Sequence, residues 1–238
     1  MTGGFGWRAR IGQLYPAGGL ADSEPQTMAP DGVLFVTTRL GFNRVGLEQS
    51  RGLVRDLEGP ARLLADAQVQ LILFNCTSAS MAVGPEAIKT RITGATGIPA
   101  TTTIEGVMAA LAATGARRLG LLTPYSEDVV EAETVFLRDR GYAVTQTGGR
   151  PCRTPVEQGS IPPETWLDWA APFAGAPIDA LLISCAGIRL APVLAAIEQR
   201  VGVPVVTSNQ AVVWNCLKLL GIGERPPGFG ALLAGRYG

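Results

Sequence analysis

Leu71-Ile72-Leu73-Phe74-Asn75-Cys76-Thr77-Ser78 and Leu181-Leu182-Ile183-Ser184-Cys185-Ala186-Gly187 repeat one pattern. Each is a short apolar run, then one small polar residue, a cysteine and further small residues, with a helical pattern beyond. Runs this short and this apolar read as strands buried on both faces. Such strands belong to parallel sheets covered by helices on both sides. The pattern therefore places each thiol at the carboxyl end of a buried strand and beside a helix N-terminus. Free N–H groups and the helix dipole at that place are expected to lower the thiol pKa.

The match continues outward. Cys76 is followed by Gly97-Ile98-Pro99 and Cys185 by Gly202-Val203-Pro204, and a helical stretch after each closes on a glycine, Gly115 or Gly221. A duplicated α/β unit is the economical reading. Strands are expected over 8–15, 32–38, 69–75, 97–102, 118–122, 143–147, 180–184 and 203–207. Helices are expected over 47–67, 85–93, 104–113, 127–140, 166–173, 191–200 and 211–220, with 148–165 a glycine- and proline-rich loop beside a pocket. The expected architecture is two similar Rossmann-like lobes, residues 1–114 plus 212–238 and residues 115–211. Ligands of open α/β sheets bind outside the carboxyl ends of the strands, here the cleft between the lobes.

Composition narrows the function. The 238 residues are 47% hydrophobic and 17% charged, with 20 basic and 20 acidic side chains and no histidine. That balance carries no footprint for nucleic acid or a membrane surface. The N-terminus has no apolar signal core and no run is long enough to span a bilayer, so a cytoplasmic protein with reduced thiols is expected. Without histidine a Ser-His-Asp triad is impossible. There is no G-x-x-x-x-G-K-[ST], no G-x-G-x-x-G and no C-x-x-C, so no nucleotide or metal site is expected. Proton transfer falls to thiols, carboxylates, tyrosines or water.

Cys76 and Cys185, matched across the repeat, are the candidate catalytic pair. Cys152, in the loop, and Cys216, among apolar helix residues, read as packing residues. Thr77 and Ser78 either cap the following helix or offer hydroxyl and N–H donors to a carboxylate or enolate oxygen. Tyr125, just past a strand end, is either a donor to the same oxyanion or a surface tyrosine. Pro16-Ala17-Gly18-Gly19 is either a tight turn or a place where backbone N–H groups meet a carboxylate. Glu127, Asp128, Glu131 and Glu133 read as a solvated helical turn, and Ser208-Asn209-Gln210 as a helix cap or a cleft amide.

Cys76-Thr77-Ser78, Thr123-Pro124-Tyr125, Ser184-Cys185, Thr207-Ser208-Asn209-Gln210-Ala211 and Gly228-Phe229-Gly230, in this order and spacing, resemble the aspartate/glutamate racemase superfamily in its maleate isomerase and arylmalonate decarboxylase branch. The resemblance implies two pseudo-twofold-related α/β lobes, no cofactor, and a C-terminal helix that returns to the first lobe. It also implies carboxylate or oxyanion binding by Thr77, Ser78, Tyr125, the Ala186 N–H and the Pro16-Ala17 turn. Racemases and maleate isomerases resemble this chain in having both cysteines, whereas the decarboxylases carry glycine at the place of Cys76. The Pro16-Ala17-Gly18-Gly19 turn looks like that of the decarboxylases, and the asparagines that maleate isomerases carry at that turn and in the middle loop are missing here. The expected function is a cofactor-independent isomerase of a small carboxylate, by cis–trans isomerisation or racemisation. The alternatives are an arylmalonate-type decarboxylase with Cys185 as proton donor, and a carboxylate-binding protein without catalysis. Symmetric dimers are common, so a homodimer is the expected assembly.

Overall fold

The computed structural model describes residues 3–237. The first half contains β1 (Ala9–Pro16), α1 (Glu24–Met28), β2 (Val33–Leu40), α2 (Leu47–Gly52), α3 (Glu58–Asp66), β3 (Leu71–Phe74), α4 (Thr77–Val83), α5 (Pro85–Thr96), β4 (Ala100–Thr102) and α6 (Thr103–Thr114). The second contains β5 (Arg118–Leu122), α7 (Glu127–Arg138), β6 (Ala143–Gly148), α8 (Pro155–Gly159), α9 (Pro163–Ala170), β7 (Ala180–Ile183), α10 (Leu194–Val201), β8 (Val205–Thr207), α11 (Ser208–Leu219) and α12 (Gly230–Leu233).

Two four-stranded parallel sheets result, ordered β2-β1-β3-β4 and β6-β5-β7-β8. The second order is the first with every strand number raised by four, so the repeat seen in the sequence is a repeat of topology. It holds in detail. Ile72 N–H donates to Pro99 O and Leu181 N–H to Pro204 O, both at 2.9 Å. Phe74 pairs with Thr102 and Ile183 with Thr207. Thr102 and Thr207 then open α6 and α11 with capping boxes closed by Glu105 and Gln210, each satisfying N–H groups that a helix start leaves open.

The strands alternate between cores with period two, as a pleated sheet requires. Leu71 and Leu73 join a cluster shared by both halves, while Ile72 and Phe74 face a cluster under α3 and α5. Leu182 faces the shared cluster, and Leu181 and Ile183 face the second half's own. The shared cluster holds α6 against α11, which approach closely at Gly106. A Cβ there would stand 3.1 Å from Ala211 O.

The single helix expected over 47–67 is two. Pro60 lies in the first turn of α3 and cannot continue a helix arriving from α2, because it lacks an N–H and crowds the carbonyl four residues back. Leu63, within α3, is exposed. The 148–165 loop contains α8 and the start of α9. Among the described residues no helix is long and apolar enough to cross a membrane.

Candidate active site

The two carboxyl strand ends meet at one cavity. It is lined by Cys76, Thr77, Ser78, Tyr125, Cys185 and Ala186, with Tyr15, Pro16, Gly19 and Gly187. Phe42, Val45, Pro155 and Gln158 complete the wall, and none of the lining residues carries a charge.

Matched hydrogen bonds lead into both thiols. Asn75 N–H donates to Leu14 O and Ser184 N–H to Leu122 O, each at 2.9 Å. Beyond the thiols the halves diverge. Cys76 is the N-cap of α4, so the chain turns at once into helix. Cys185 is followed by a turn and α10 starts only at Leu194, so the expected helix N-terminus beside Cys185 is not formed.

That turn is held from outside. Glu24 Oε1 accepts from Leu190 N–H (2.5 Å) and Ala191 N–H (2.6 Å). Asn209 Nδ2 donates to Ala186 O (3.1 Å) and Ile188 O (3.3 Å). The Tyr15 hydroxyl donates to Ala186 O at 3.3 Å and accepts from Ala21 N–H at 3.2 Å. Ser208 Oγ ties both strand ends together, accepting from Thr77 Oγ1 (2.9 Å) and from Cys185 N–H (3.1 Å).

Burial corrects the expected electrostatics. Both thiols are buried, and burial pushes both pKa values up, against the lowering expected from helix N-termini. Desolvation disfavours a buried thiolate more than the local donors favour it. The donors differ, however. At Cys76 the Ala79 N–H, the Ser78 hydroxyl and the Ser78 N–H pull the value back. At Cys185 the Gly187 N–H and the Tyr125 hydroxyl do so, while repulsion from Cys76 and Cys152 adds to burial and the value stands at about 12. Burial also lifts the Tyr125 phenol well above its ordinary range, so Tyr125 remains a neutral donor.

Each expected binding residue has a definite place. Thr77, Ser78, Tyr125, Ala186 and Pro16 line the cavity. The Ser78 hydroxyl is hydrogen-bonded to Ser50 Oγ at 2.9 Å and lies 3.7 Å from Cys76 Sγ. Ala17 is exposed and outside the lining. The Pro16-Ala17-Gly18-Gly19 turn has no N–H to offer a carboxylate, because Ala17 N–H donates to Leu40 O, Gly18 N–H to Phe42 O and Gly19 N–H to Pro16 O, and Pro16 has none. The expectation of carboxylate binding by this turn's backbone is therefore not met.

Glu133 is a second correction. It is 1% exposed, not part of a solvated turn. Val129, Glu133 and Leu137 fall four apart on the inward face of α7, a spacing that marks the position as buried. Ser184 Oγ donates to Glu133 Oε1 at 2.5 Å, and burial raises the carboxyl to about 7. The roles of Tyr15, Gln158 and Glu24 and the bridging by Ser208 are not visible in the sequence either. Each acts through a partner far along the chain, so no local pattern marks it. All four cysteines are free, and Cys216 packs in the shared core as expected.

Comparison with known proteins agrees with this geometry. The family model described as arylmalonate decarboxylase matches residues 11–233. Arylmalonate decarboxylase of Bordetella bronchiseptica is 32% identical over 231 residues, covering 93% of this chain and 95% of that protein. Maleate isomerase of Pseudomonas putida is 25% identical, covering 96% and 98%. A solved structure of Nocardia farcinica maleate cis-trans isomerase, a cysteine-to-serine mutant with a covalently bound succinylcysteine intermediate, superimposes with a TM-score of 0.87 at 23% identity, covering 95% of this chain and 98% of that one. A two-lobed α/β chain with paired sheets, opposed strand-end cysteines and a family match along almost its whole length belongs to the arylmalonate decarboxylase family.

Proposed function

We propose that this protein is a cofactor-independent isomerase that acts on a small carboxylate through the Cys76 and Cys185 thiols. The observation that carries the reading is the second thiol. A proton donor alone needs one cysteine, whereas this cavity has two, on matched strand ends and close enough to repel one another electrostatically. Their surroundings favour divided roles. Cys76, with more donors around its sulfur, is the group that ionises, and Cys185 is the group that keeps its proton.

In the cis–trans version the Cys76 thiolate adds to an activated carbon–carbon double bond and the Cys185 thiol protonates the neighbouring carbon. The bond, now single, rotates. Cys185 then takes a proton back, the carbon–sulfur bond breaks and the double bond reforms. The succinylcysteine in the Nocardia protein is an adduct of this kind. In the racemase version Cys76 removes an α-proton and Cys185 returns one to the opposite face. Both versions pass through an enolate-like carboxylate. Thr77, Ser78, the Tyr125 hydroxyl and the Ala186 N–H are the donors proposed to hold it, which is worth several kcal/mol in a dry site. Both roles need reduced thiols, which fits the cytoplasm. The lobe division at 1–114 plus 212–238 and 115–211 is supported by the packing of α11 along α6.

Proton NMR in deuterated water over maleate, amino acids, hydantoins and arylmalonates tests the reading. Cis–trans conversion or deuterium incorporation without loss of mass is expected, and Cys76→Ala should lower turnover by about 10³-fold or more. Retained activity in that variant removes Cys76 from the mechanism. The 32% identity to a decarboxylase and the Pro16-Ala17-Gly18-Gly19 turn favour a second reading. There a malonate loses carbon dioxide and the resulting enediolate takes its proton from Cys185. Carbon dioxide release that survives Cys76→Ala and is lost in Cys185→Ala would establish it.

A further inference from the structure

Gln158 is the one cavity-lining residue whose side chain has a buried N–H donor without a partner. The residue is 5% exposed. Its Oε1 lies 3.6 Å from Cys185 Sγ, and its Nε2 is buried without a hydrogen-bond partner among the described residues. Glu133 Oε2 and Trp166 Nε1 are likewise unpartnered, but neither residue lines the cavity.

The amide's orientation has a physical cause. Cys185 Sγ already accepts from Gly187 N–H at 3.2 Å. Its own S–H therefore needs an acceptor, and Oε1 is that acceptor. This turns Nε2 away from the sulfur. The carboxamide is also confined. A Cβ at Gly187 would stand 3.0 Å from Oε1, and one at Gly159 would stand 2.7 Å from Leu20 Cβ, so glycines on both sides let α8 sit this close. Leaving a buried amide N–H unpaired is destabilising, and a leucine or methionine at this position would leave none.

We propose that Gln158 is a specificity-determining residue whose Nε2 donates to an oxygen acceptor on the substrate, on the carbon skeleton beside Cys185. The preferred substrate is then a small carboxylate bearing a second oxygen-containing group, not its hydrocarbon-substituted isostere. This rests on the reading of the cavity as the reaction site and deepens it.

Isothermal titration of the full-length protein with succinamate and 4-methylpentanoate tests it. The two ligands share length, shape and charge and differ in whether the far end carries an amide or an isopropyl group. Wild-type protein should favour succinamate by about 10- to 100-fold, and Gln158→Leu should bring the ratio to unity or invert it. Gln158→Met serves as the second variant if the leucine form does not fold. A wild-type protein that does not favour succinamate, including one that does not bind it, overturns the proposal. So does a folded variant whose ratio stays within about twofold of wild type. Binding is read without turnover, so the two readings fail separately. A shifted ratio with no isomerisation keeps this inference and removes the reaction, and isomerisation with an unshifted ratio does the reverse.

Discussion

The Cys76 and Cys185 strand ends share a scaffold and diverge beyond the sulfur atoms. Up to the thiol they match in strand order, in the bond from the preceding residue to the neighbouring strand and in the proline carbonyl contacted from within the strand. After the thiol one chain segment enters α4 and the other enters a turn held by Glu24, Asn209 and Tyr15. The residues just before the thiols differ too. Asn75 sits among neutral partners, donating to Gln13 and accepting from Thr103. Ser184 donates to a buried acid, Glu133. A duplicated fold supplies two equivalent thiol positions, and the divergence beyond them surrounds the two sulfurs with different donors. An acid/base pair needs unequal proton affinities.

The difference should be largest in thiol chemistry. At pH 8 a thiol with a pKa of about 12 is anionic to roughly one part in 10⁴. Alkylation by iodoacetamide, read peptide by peptide so that the more accessible Cys152 is counted separately, should modify Cys76 at least about tenfold faster than Cys185. Equal rates, or Cys185 first, would reverse the assigned roles.

Next comes the borrowed support of the second turn. Glu24→Ala removes the acceptor of the Leu190 and Ala191 N–H groups, and should cost about 4 kcal/mol in urea unfolding. Glu24→Gln keeps one acceptor oxygen and should recover part of that. A loss below about 0.5 kcal/mol in the alanine variant would mean that the turn supports itself, as α4 does.

The smallest effect concerns Glu133 and depends on pH. Its carboxyl titrates near 7 when folded against an ordinary 4.5. The folded state therefore holds a proton that the unfolded chain has released, and stability present at low pH is lost as pH rises through 7. The full shift corresponds to at most about 3 kcal/mol. Glu133→Gln mimics the neutral acid and should flatten the fall in stability between about pH 5 and pH 8. An unchanged slope would show that Glu133 does not titrate in this range.

What was legible in the sequence was local. Buried strands show as apolar runs, Gly115 and Gly221 mark helix ends because their positive φ angles of 71° and 68° suit glycine, and Cys76 and Cys185 show as repeated neighbours of those runs. The Pro16 turn was legible as a turn but not as one whose N–H groups are all taken, since two of the acceptors, Leu40 and Phe42, lie on and just beyond another strand. Tyr15 and Ala186 are 171 positions apart, and Glu24 and Ala191 are 167 apart. No spacing rule covers such distances.

By itself, then, the sequence determined the duplicated α/β plan and put a thiol at the end of each central strand, because apolar periodicity, glycine punctuation and helix capping act over a few residues. Only the tertiary structure decided how those thiols behave. It buried them in one cavity, where desolvation outweighs the donors of a helix N-terminus. It also brought Gln158 of α8 to Cys185 and held the second turn with Glu24 and Tyr15 from the other half. Desolvation and long-range hydrogen bonds depend on which surfaces meet, and that is settled only when the chain has folded.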